Sequence, residues 1–327
     1  AEAAKCLGAA GEFDEANEFG SYACRVIQQM GLPRAVGDVC IMMGNVLRGY
    51  DLGAAIEWYK RGLKSSQLED EGRGGLLINL AAALLEAGKL DESENALRET
   101  RRWLSSRDEP GLVSIRIKVS LSLGVIEYQR RNWKKATNHF EACLSQDDGN
   151  NQALLGVAWH NLGMLAYRDD NMKTAKEYLL KAQPLYWHRK DKVSWAYAAI
   201  ELGKVALREG NLEEAMHQVL SAEPYLEEKS VIAKGWSNLI KACIDRAQRR
   251  QSQAIENGRR AMETFQRENA ERELSVAALW LADLYREAGD SQQAAFVERR
   301  AFQIYEKRHW DVRELHRERS LLESKAE

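Results

Sequence analysis

Small residues recur along the chain at a fixed position after each polar turn. Turn phrases such as GEFDEA, GKLDES and GNLEEA end on a small residue, and this pattern occurs eight times. The interval is about 40 residues, which is typical of helical repeat arrays. These eight residues form a first ladder: Ala16, Ala55, Ser93, Ala136, Ala175, Ala215, Ala254 and Ala294.

A second ladder of small residues follows the first, seven positions later in each repeat. Its members are Ala23, Gly62, Thr100, Cys143, Ala182, Ala222, Ala261 and Ala301. Residues seven apart lie on one face of a helix, so the two ladders predict one closely packed helix face per repeat. The pattern therefore predicts an all-α solenoid of about eight helical hairpins, in which each hairpin packs mainly on its neighbours.

The same pattern sets the domain boundaries. We expect one continuous domain, 1–327, because the chain has only 4 prolines and no Gly/Ser/Pro-rich linker interrupts the array. The leading segment AEAAKCLGAA is half a helix, which predicts a chain cut from a longer protein. A charged, amphipathic capping helix is expected in 309–327. The repeats are predicted near 1–30, 35–68, 72–106, 112–147, 152–186, 192–228, 231–268 and 271–308.

The clearest unit runs from Val157 to Pro184. The pair Leu162-Gly163 lies on the packed face of its first helix, residues 169–171 break that helix, and 173–182 form the second helix. Two helices joined by a short polar turn form an αα-hairpin. The run Trp187–Lys192 is interpreted as the polar loop that leads to the next hairpin.

This unit resembles the tetratricopeptide repeat. The family phrase W-x-x-L-G-x-x-Y is matched by Trp159, Leu162 and Gly163, with Ala166 in place of the tyrosine. The units are longer than the usual 34 residues. In this they are similar to the peptide-pheromone receptors of the bacterial RRNPP group and to the sensor arrays of ATP-dependent transcription activators. The resemblance implies a right-handed superhelix that holds ligands on its concave face.

The resemblance also places ligand contacts on the side of each first helix opposite the Leu-Gly pair. Asn79 and Asn161 directly precede the leucine position, and an amide there can bond a peptide backbone as donor and acceptor. A plain surface position is the alternative for each amide, and partial burial is the alternative for the tyrosines. The predicted groove residues are Asn45, Asn79, Lys118, Tyr128, His160, Asn161, Met164, Tyr167, Tyr197, Glu201, Lys204, Arg208, Trp236, Arg246, Trp280 and Asp283.

Composition and motifs narrow the function. The formal net charge of −2 argues against direct nucleic-acid contact, which depends on phosphate neutralisation. No apolar run approaches the roughly 20 residues of a membrane span, and the 5 scattered cysteines favour free thiols in the cytoplasm. The chain lacks a P-loop, a Cys-x-x-Cys pair and a His-x-x-x-His pair, so we expect no enzymatic activity, no cofactor and no metal.

These observations favour a regulatory or sensor domain of an intracellular, bacterial transcription regulator of the quorum-sensing kind. Its expected partner is a short peptide, or an extended segment of another protein, with no membrane attachment and with a homodimer left open. One alternative is a scaffold for protein–protein assembly. Two others are a small-molecule sensor array with an apolar pocket and an enzyme-regulating module.

Overall fold

The fold is all-α. The computed structural model describes residues 11–64, 70–107, 109–226 and 230–323, and within these ranges it has 16 α-helices, two short 3-10 helices and no strand. The half helix predicted at the start of the chain falls in 1–10, outside the described residues. The chain divides into two compact units, Ala1–Leu154 and Leu155–Glu327, and each is described by itself.

Unit 1 contains the first seven helices and a 3-10 helix, Pro110–Leu112. The helices are α1 Phe13–Gln29, α2 Pro33–Leu47, α3 Leu52–Lys64, α4 Asp70–Glu86, α5 Leu90–Leu104, α6 Val113–Gln129 and α7 Trp133–Leu144. Helix α8, Gln152–Arg168, begins at the end of unit 1 and lies mostly in unit 2.

Unit 2 contains the remaining helices and a second 3-10 helix, Glu223–Tyr225. The helices are α9 Met172–His188, α10 Lys192–Arg208, α11 Leu212–Ala222, α12 Val231–Ala247, α13 Gln251–Arg267, α14 Glu271–Glu287, α15 Ser291–Lys307 and α16 Val312–Ser320. Consecutive helices from α2 to α15 pair as seven hairpins. The prediction of an all-α array of about eight hairpins is confirmed.

The two ladders of small residues form the packed faces of the hairpins. Every residue of the first ladder is buried, and so is every residue of the second ladder except Ala23. Ala23 is half-buried, and the adjacent Cys24 takes the buried position instead. Small side chains therefore mark the places where neighbouring helices approach, as the spacing predicts.

The Leu-Gly pair recurs as Leu123-Gly124 and Leu202-Gly203, and it marks close helix approach in two of the three cases. A Cβ atom at Gly124 would lie 2.5 Å from Cε1 of Phe140, and one at Gly163 would lie 2.7 Å from Cγ of Leu179. At Gly203 the nearest atoms would be 3.5 Å away, which is ordinary van der Waals contact. Gly124 and Gly163 are therefore required by packing, whereas Gly203 has room for a methyl group.

The hairpin that the sequence marks most clearly has the predicted turn. Helix α8 ends at Arg168, Asp170 has a left-handed φ of 60°, and the Asn171 side chain accepts a hydrogen bond from the Thr174 backbone N–H at 3.2 Å. Such an asparagine cap satisfies a backbone donor that the first turn of a helix leaves unpaired.

The second helix of that hairpin is longer than predicted. Helix α9 continues through Pro184 to His188, so interpreting Trp187–Lys192 as a loop is wrong for its first two residues and its last. Proline cannot donate to the carbonyl four residues earlier. That carbonyl belongs to Leu180, whose side chain is half exposed, and solvent on this side of the helix makes the missing bond tolerable.

Candidate functional site

One segment of the chain lies against the first helices of unit 2. It consists of α16 and the three residues after it, Val312–Glu323, and we call it the C-terminal segment. It bonds residues of α8, α10 and α14 and lines a cavity together with residues of α12. The surface formed by these four helices is here the inner face of unit 2. Three leucines of the segment are buried against this unit: Leu315, Leu321 and Leu322.

Two side chains of the inner face donate to main-chain oxygens of the segment. The Tyr167 hydroxyl donates to the Leu321 carbonyl at 3.0 Å. Nη1 of Arg208 donates to the carbonyls of Ser320 and Glu323 at 2.9 and 2.7 Å. Arginine is well suited to the last carbonyls of a helix, where unpaired oxygens carry the negative end of the helix dipole.

Both donors are held in place by their surroundings. Nε and Nη2 of Arg208 donate to the two carboxylate oxygens of Asp170 at 3.1 and 3.2 Å, a two-pronged bond that orients the guanidinium. Burial, with a smaller contribution from the nearby Glu201 carboxylate, raises the pKa of Tyr167 well above its usual range. The Tyr167 hydroxyl therefore keeps its proton and acts as a donor.

A buried ion pair lies behind Tyr167. Nζ of Lys204 is 2.6 Å from Oε2 of Glu201, and both side chains are less than a tenth exposed. The same ammonium lies 5.1 Å from the ring centre of Tyr167 and 4.3 Å from that of Trp236. Because a buried charge needs compensation, the carboxylate and the two ring faces together stabilise Lys204.

Opposite charges surround the segment. Arg168 pairs with Glu314 at 3.1 Å, and Arg272 pairs with Glu318 at 2.9 Å. Further along α14 the charges are reversed, because there Asp283 of the inner face forms an ion pair with Arg319 of the segment. This face of unit 2 therefore offers both positive and negative partners at fixed places.

A cavity of about 470 Å³ adjoins the last described residues of the segment. Trp280 lines it and is only 1% exposed, and its role as a groove contact stays a prediction. The ring packs in the apolar cluster of unit 2 that also contains Leu315 and Leu322 of the segment, with the Arg246 guanidinium 5.8 Å from its centre. The cavity is lined by Leu207, Cys243, Arg246, Trp280, Leu322 and Glu323.

Among the predicted groove residues of unit 2, Tyr167, Arg208 and Asp283 form a hydrogen bond or an ion pair with the segment. The described residues show no such bond from the others, which include His160, Asn161, Met164 and Tyr197. Nδ2 of Asn161 donates to the Val157 carbonyl of its own helix at 2.8 Å, a local bond that asparagine often makes. Burial lowers the pKa of His160 and raises that of Tyr197. Their role in binding stays a prediction.

The predicted groove residues of unit 1 are arranged differently. Oδ1 of Asn45 accepts from the Tyr59 hydroxyl at 2.8 Å and from Nδ2 of Asn79 at 3.3 Å. The two amides thus join α2 to α4. Lys118 is exposed, and the Tyr128 ring packs edge-on against Trp133 at 5.3 Å.

Sequence reasoning missed the segment as the occupant of the inner face. The sequence predicts it as a cap after the last hairpin, but its contacts reach back to α8, more than 140 residues earlier in the chain. The signal available in the sequence is the Leu321-Leu322 pair, whose apolar side chains are out of place at the end of a highly charged helix. The unpredicted partners are Arg272, Glu314, Glu318 and Arg319.

The described residues contain no helix long and apolar enough to span a bilayer. They also contain no group of three or more His, Cys, Asp and Glu side chains arranged to hold a metal ion.

Residues 157–183 match the family model described as the tetratricopeptide repeat. These residues form a TPR unit. The match falls on the hairpin that the sequence marks most clearly, and it confirms the resemblance on which the fold was predicted. No curated protein sequence matches the chain.

Solved structures extend the TPR likeness to most of the chain. Aspartyl phosphate phosphatase F from Bacillus subtilis has a TM-score of 0.65 at 14% identity, covering 86% of this chain and 73% of that one. The Rap conjugation gene regulator of plasmid pLS20, in complex with the Phr* peptide, has a TM-score of 0.65 at 18% identity, covering 87% and 76%. NprR in complex with its cognate peptide NprX has a TM-score of 0.64 at 11% identity, covering 85% and 79%. At these identities the likeness shows a shared TPR fold.

Proposed function

We propose that this TPR domain binds a short peptide, or an extended segment of a partner protein, on the inner face of unit 2. The observation that carries the proposal is the pair of donors, Tyr167 and Arg208, that bond main-chain oxygens of the C-terminal segment. Every peptide has such oxygens, so these donors give affinity without requiring a particular sequence. The peptide complexes named for two similar structures support the same function.

The surroundings of the two donors would provide selectivity. Arg168, Arg272 and Asp283 place charges of both signs along the face. The adjoining cavity offers apolar and charged lining within one pocket. A guest is therefore selected by its charge pattern and by the side chains that it inserts, while its backbone supplies the common contacts.

In this proposal the domain is the sensor part of an intracellular regulator. The four cysteines of the described residues are buried, free thiols, as expected in a reducing compartment. Binding along first helices from four hairpins changes how those hairpins pack on one another. Such a change can be passed to an attached domain, for which a DNA-binding module is the proposed identity.

The proposal can be tested by mapping a selected ligand. Peptides that bind the whole chain are isolated from a random library, and hydrogen exchange is measured with and without the best one. We expect new protection in α8, α10, α12 and α14 and unchanged exchange in α2, α4 and α6. Protection confined to unit 1, or no binding peptide at all, would contradict the proposal.

Two asparagines provide a matched pair of variants for the same ligand. Asn161→Ala removes an amide on α8 whose Nδ2 donates to its own helix and whose Oδ1 would accept from a backbone N–H of the guest. The variant is expected to weaken binding about threefold to tenfold, the value of one hydrogen bond. Asn79→Ala removes the equivalent amide in unit 1, where it is bonded to Asn45, and is expected to leave the affinity unchanged. Equal losses for both variants would place the ligand elsewhere.

A further inference from the structure

The C-terminal segment occupies the surface that the proposed ligand would use. Tyr167 and Arg208 bond its carbonyls at 2.7 to 3.0 Å, so the same atoms cannot serve a second chain at the same time. The side chains of Arg168 and Arg208 are only 12% and 11% exposed. A peptide that enters this face must therefore displace the segment.

The leucines of the segment enter two different apolar clusters. Leu321 packs in a cluster with Tyr167, Leu179 and Leu202. Leu315 and Leu322 belong to the larger cluster formed by the helices from α10 to α15. The segment thus spans all four hairpins of unit 2 with one short helix and two terminal leucines.

The polar contacts follow the same short sequence. The glutamates at 314 and 318 are four residues apart and meet Arg168 and Arg272. Arg319 meets Asp283, and the final turn presents its carbonyls to Arg208. The helix, its charged side chains and its terminal leucines together define the kind of segment that the inner face binds.

We propose that the C-terminal segment is a resident ligand of the inner face, and that the natural partner is a displacing segment of the same chemistry. This partner is an amphipathic helix of about a dozen residues with acidic side chains on its flank and two leucines at its end. The proposal rests on the proposed function and adds to it the class of ligand and a built-in competitor.

A tethered competitor strongly reduces the apparent affinity of a free peptide. A segment joined by a short connection acts as if it were present at about millimolar concentration. A free copy of the same sequence therefore binds the intact chain weakly and binds strongly once the resident segment is loosened. Loosening the segment should tighten the binding of a free copy at least tenfold.

The test uses a fluorescent peptide with the sequence of residues 312–323 as the probe. Its affinity is measured for the intact chain and for a Leu321→Ser, Leu322→Ser double variant, which weakens the segment but leaves the receptor side chains in place. The matched control is Leu180→Ser, Leu220→Ser, because both of those leucines are about half exposed. We expect at least tenfold tighter probe binding for the first double variant and no change for the control.

A further substitution tests whether the probe binds at the same place as the segment. In the loosened variant, Arg208→Gln is expected to weaken the probe at least threefold, whereas Arg48→Gln in unit 1 should leave it unchanged. Equal probe affinity for the loosened variant and the intact chain would overturn the proposal. So would insensitivity of the probe to Arg208→Gln.

A cleavable chain covers the case in which the loosened variant fails to fold. A protease site is inserted between Trp310 and Asp311, and the folded chain is cut and then diluted. The fragment that begins at Asp311 is expected to separate while the helical circular dichroism of the remainder is retained, and the probe should then bind. Loss of the helical signal on cutting would make the segment part of the core and would overturn the proposal.

The outcomes separate this inference from the proposed function. If library peptides protect α8, α10, α12 and α14 of the intact chain while the probe does not bind the loosened variant, the proposed function stands and the resident-ligand inference fails. If the probe binds the cut chain and no library peptide does, the segment is a resident structural ligand and the proposed function fails.

Discussion

Unit 1 and unit 2 are built from the same hairpin but use its first helices differently. In unit 1, the predicted groove amides Asn45 and Asn79 bond each other, and Lys118 is exposed. In unit 2, Tyr167 and Arg208 at the predicted groove bond a segment from the far end of the chain. The repeat pattern therefore determines which side of its helix a residue faces. Contacts outside the repeat determine which segment lies against that side.

The largest expected difference between the units concerns their arginines. Arg208→Gln removes bonds to two carbonyls and the two-pronged bond between the largely buried guanidinium and Asp170. We expect the free energy of opening of α16 to fall by about 2–3 kcal/mol. Arg48→Gln removes a more exposed pair with Glu86 and should cost less than about 1 kcal/mol.

Native-state hydrogen exchange measures both effects. Amides of residues 312–323 report on Arg208, and amides of α2 and α4 report on Arg48. Similar losses in the two variants would mean that the segment is not held by Arg208. The comparison between an occupied and an open face would then fail.

Short-range features of the fold could be predicted from the sequence. The small-residue ladders are repeated eight times, and each member needs only its own hairpin and its neighbours to explain its burial. The turn after α8 could also be predicted, because Asp170 and Asn171 act through local backbone geometry.

Long-range features could not be predicted. The bond between Tyr167 and Leu321 joins residues 154 positions apart, and that between Arg208 and Ser320 joins residues 112 apart. No periodicity in the sequence specifies such pairs. The burial of Trp280 follows from packing within the core of unit 2, which the position of the residue within its own repeat does not reveal.

Glycine-to-alanine substitutions test whether a packing defect destabilises only its own hairpin and the neighbouring ones. Gly124→Ala in unit 1 and Gly163→Ala in unit 2 each place a Cβ atom under 3 Å from a packed side chain. We expect each to cost roughly 1–3 kcal/mol, with increased hydrogen exchange in its own hairpin and its neighbours. Gly203→Ala is the matched control, because its Cβ has room, and it should be neutral or stabilising by up to about 1 kcal/mol.

The pattern of increased hydrogen exchange distinguishes a repeat array with local coupling from one global cooperative core. Increased exchange that stays near α6 and α7 for Gly124→Ala, and near α8 and α9 for Gly163→Ala, supports a repeat array with local coupling. A uniform increase from Ala16 to Ala301 in either variant would show one global cooperative core. A loss for Gly203→Ala equal to the others would contradict the packing argument.

The smallest expected effect separates two tyrosine hydroxyls. Tyr167→Phe leaves the buried Leu321 carbonyl without its donor, whereas Tyr59→Phe leaves the exposed Asn45 side chain free to bond water. One hydrogen bond is worth roughly 0.5–1.5 kcal/mol, and the cost is larger when the remaining partner stays buried. We therefore expect Tyr167→Phe to lower the opening free energy of residues 312–323 by about 1 kcal/mol and Tyr59→Phe to leave the exchange of those amides unchanged.

The same two variants can be compared with the probe peptide in the loosened chain. There Tyr167→Phe should weaken binding about fivefold, the affinity equivalent of about 1 kcal/mol. If neither the amides nor the probe distinguish the two tyrosines, the main-chain contact of Tyr167 contributes nothing to holding the segment, and the inner face owes its occupancy to the leucines and the ion pairs alone.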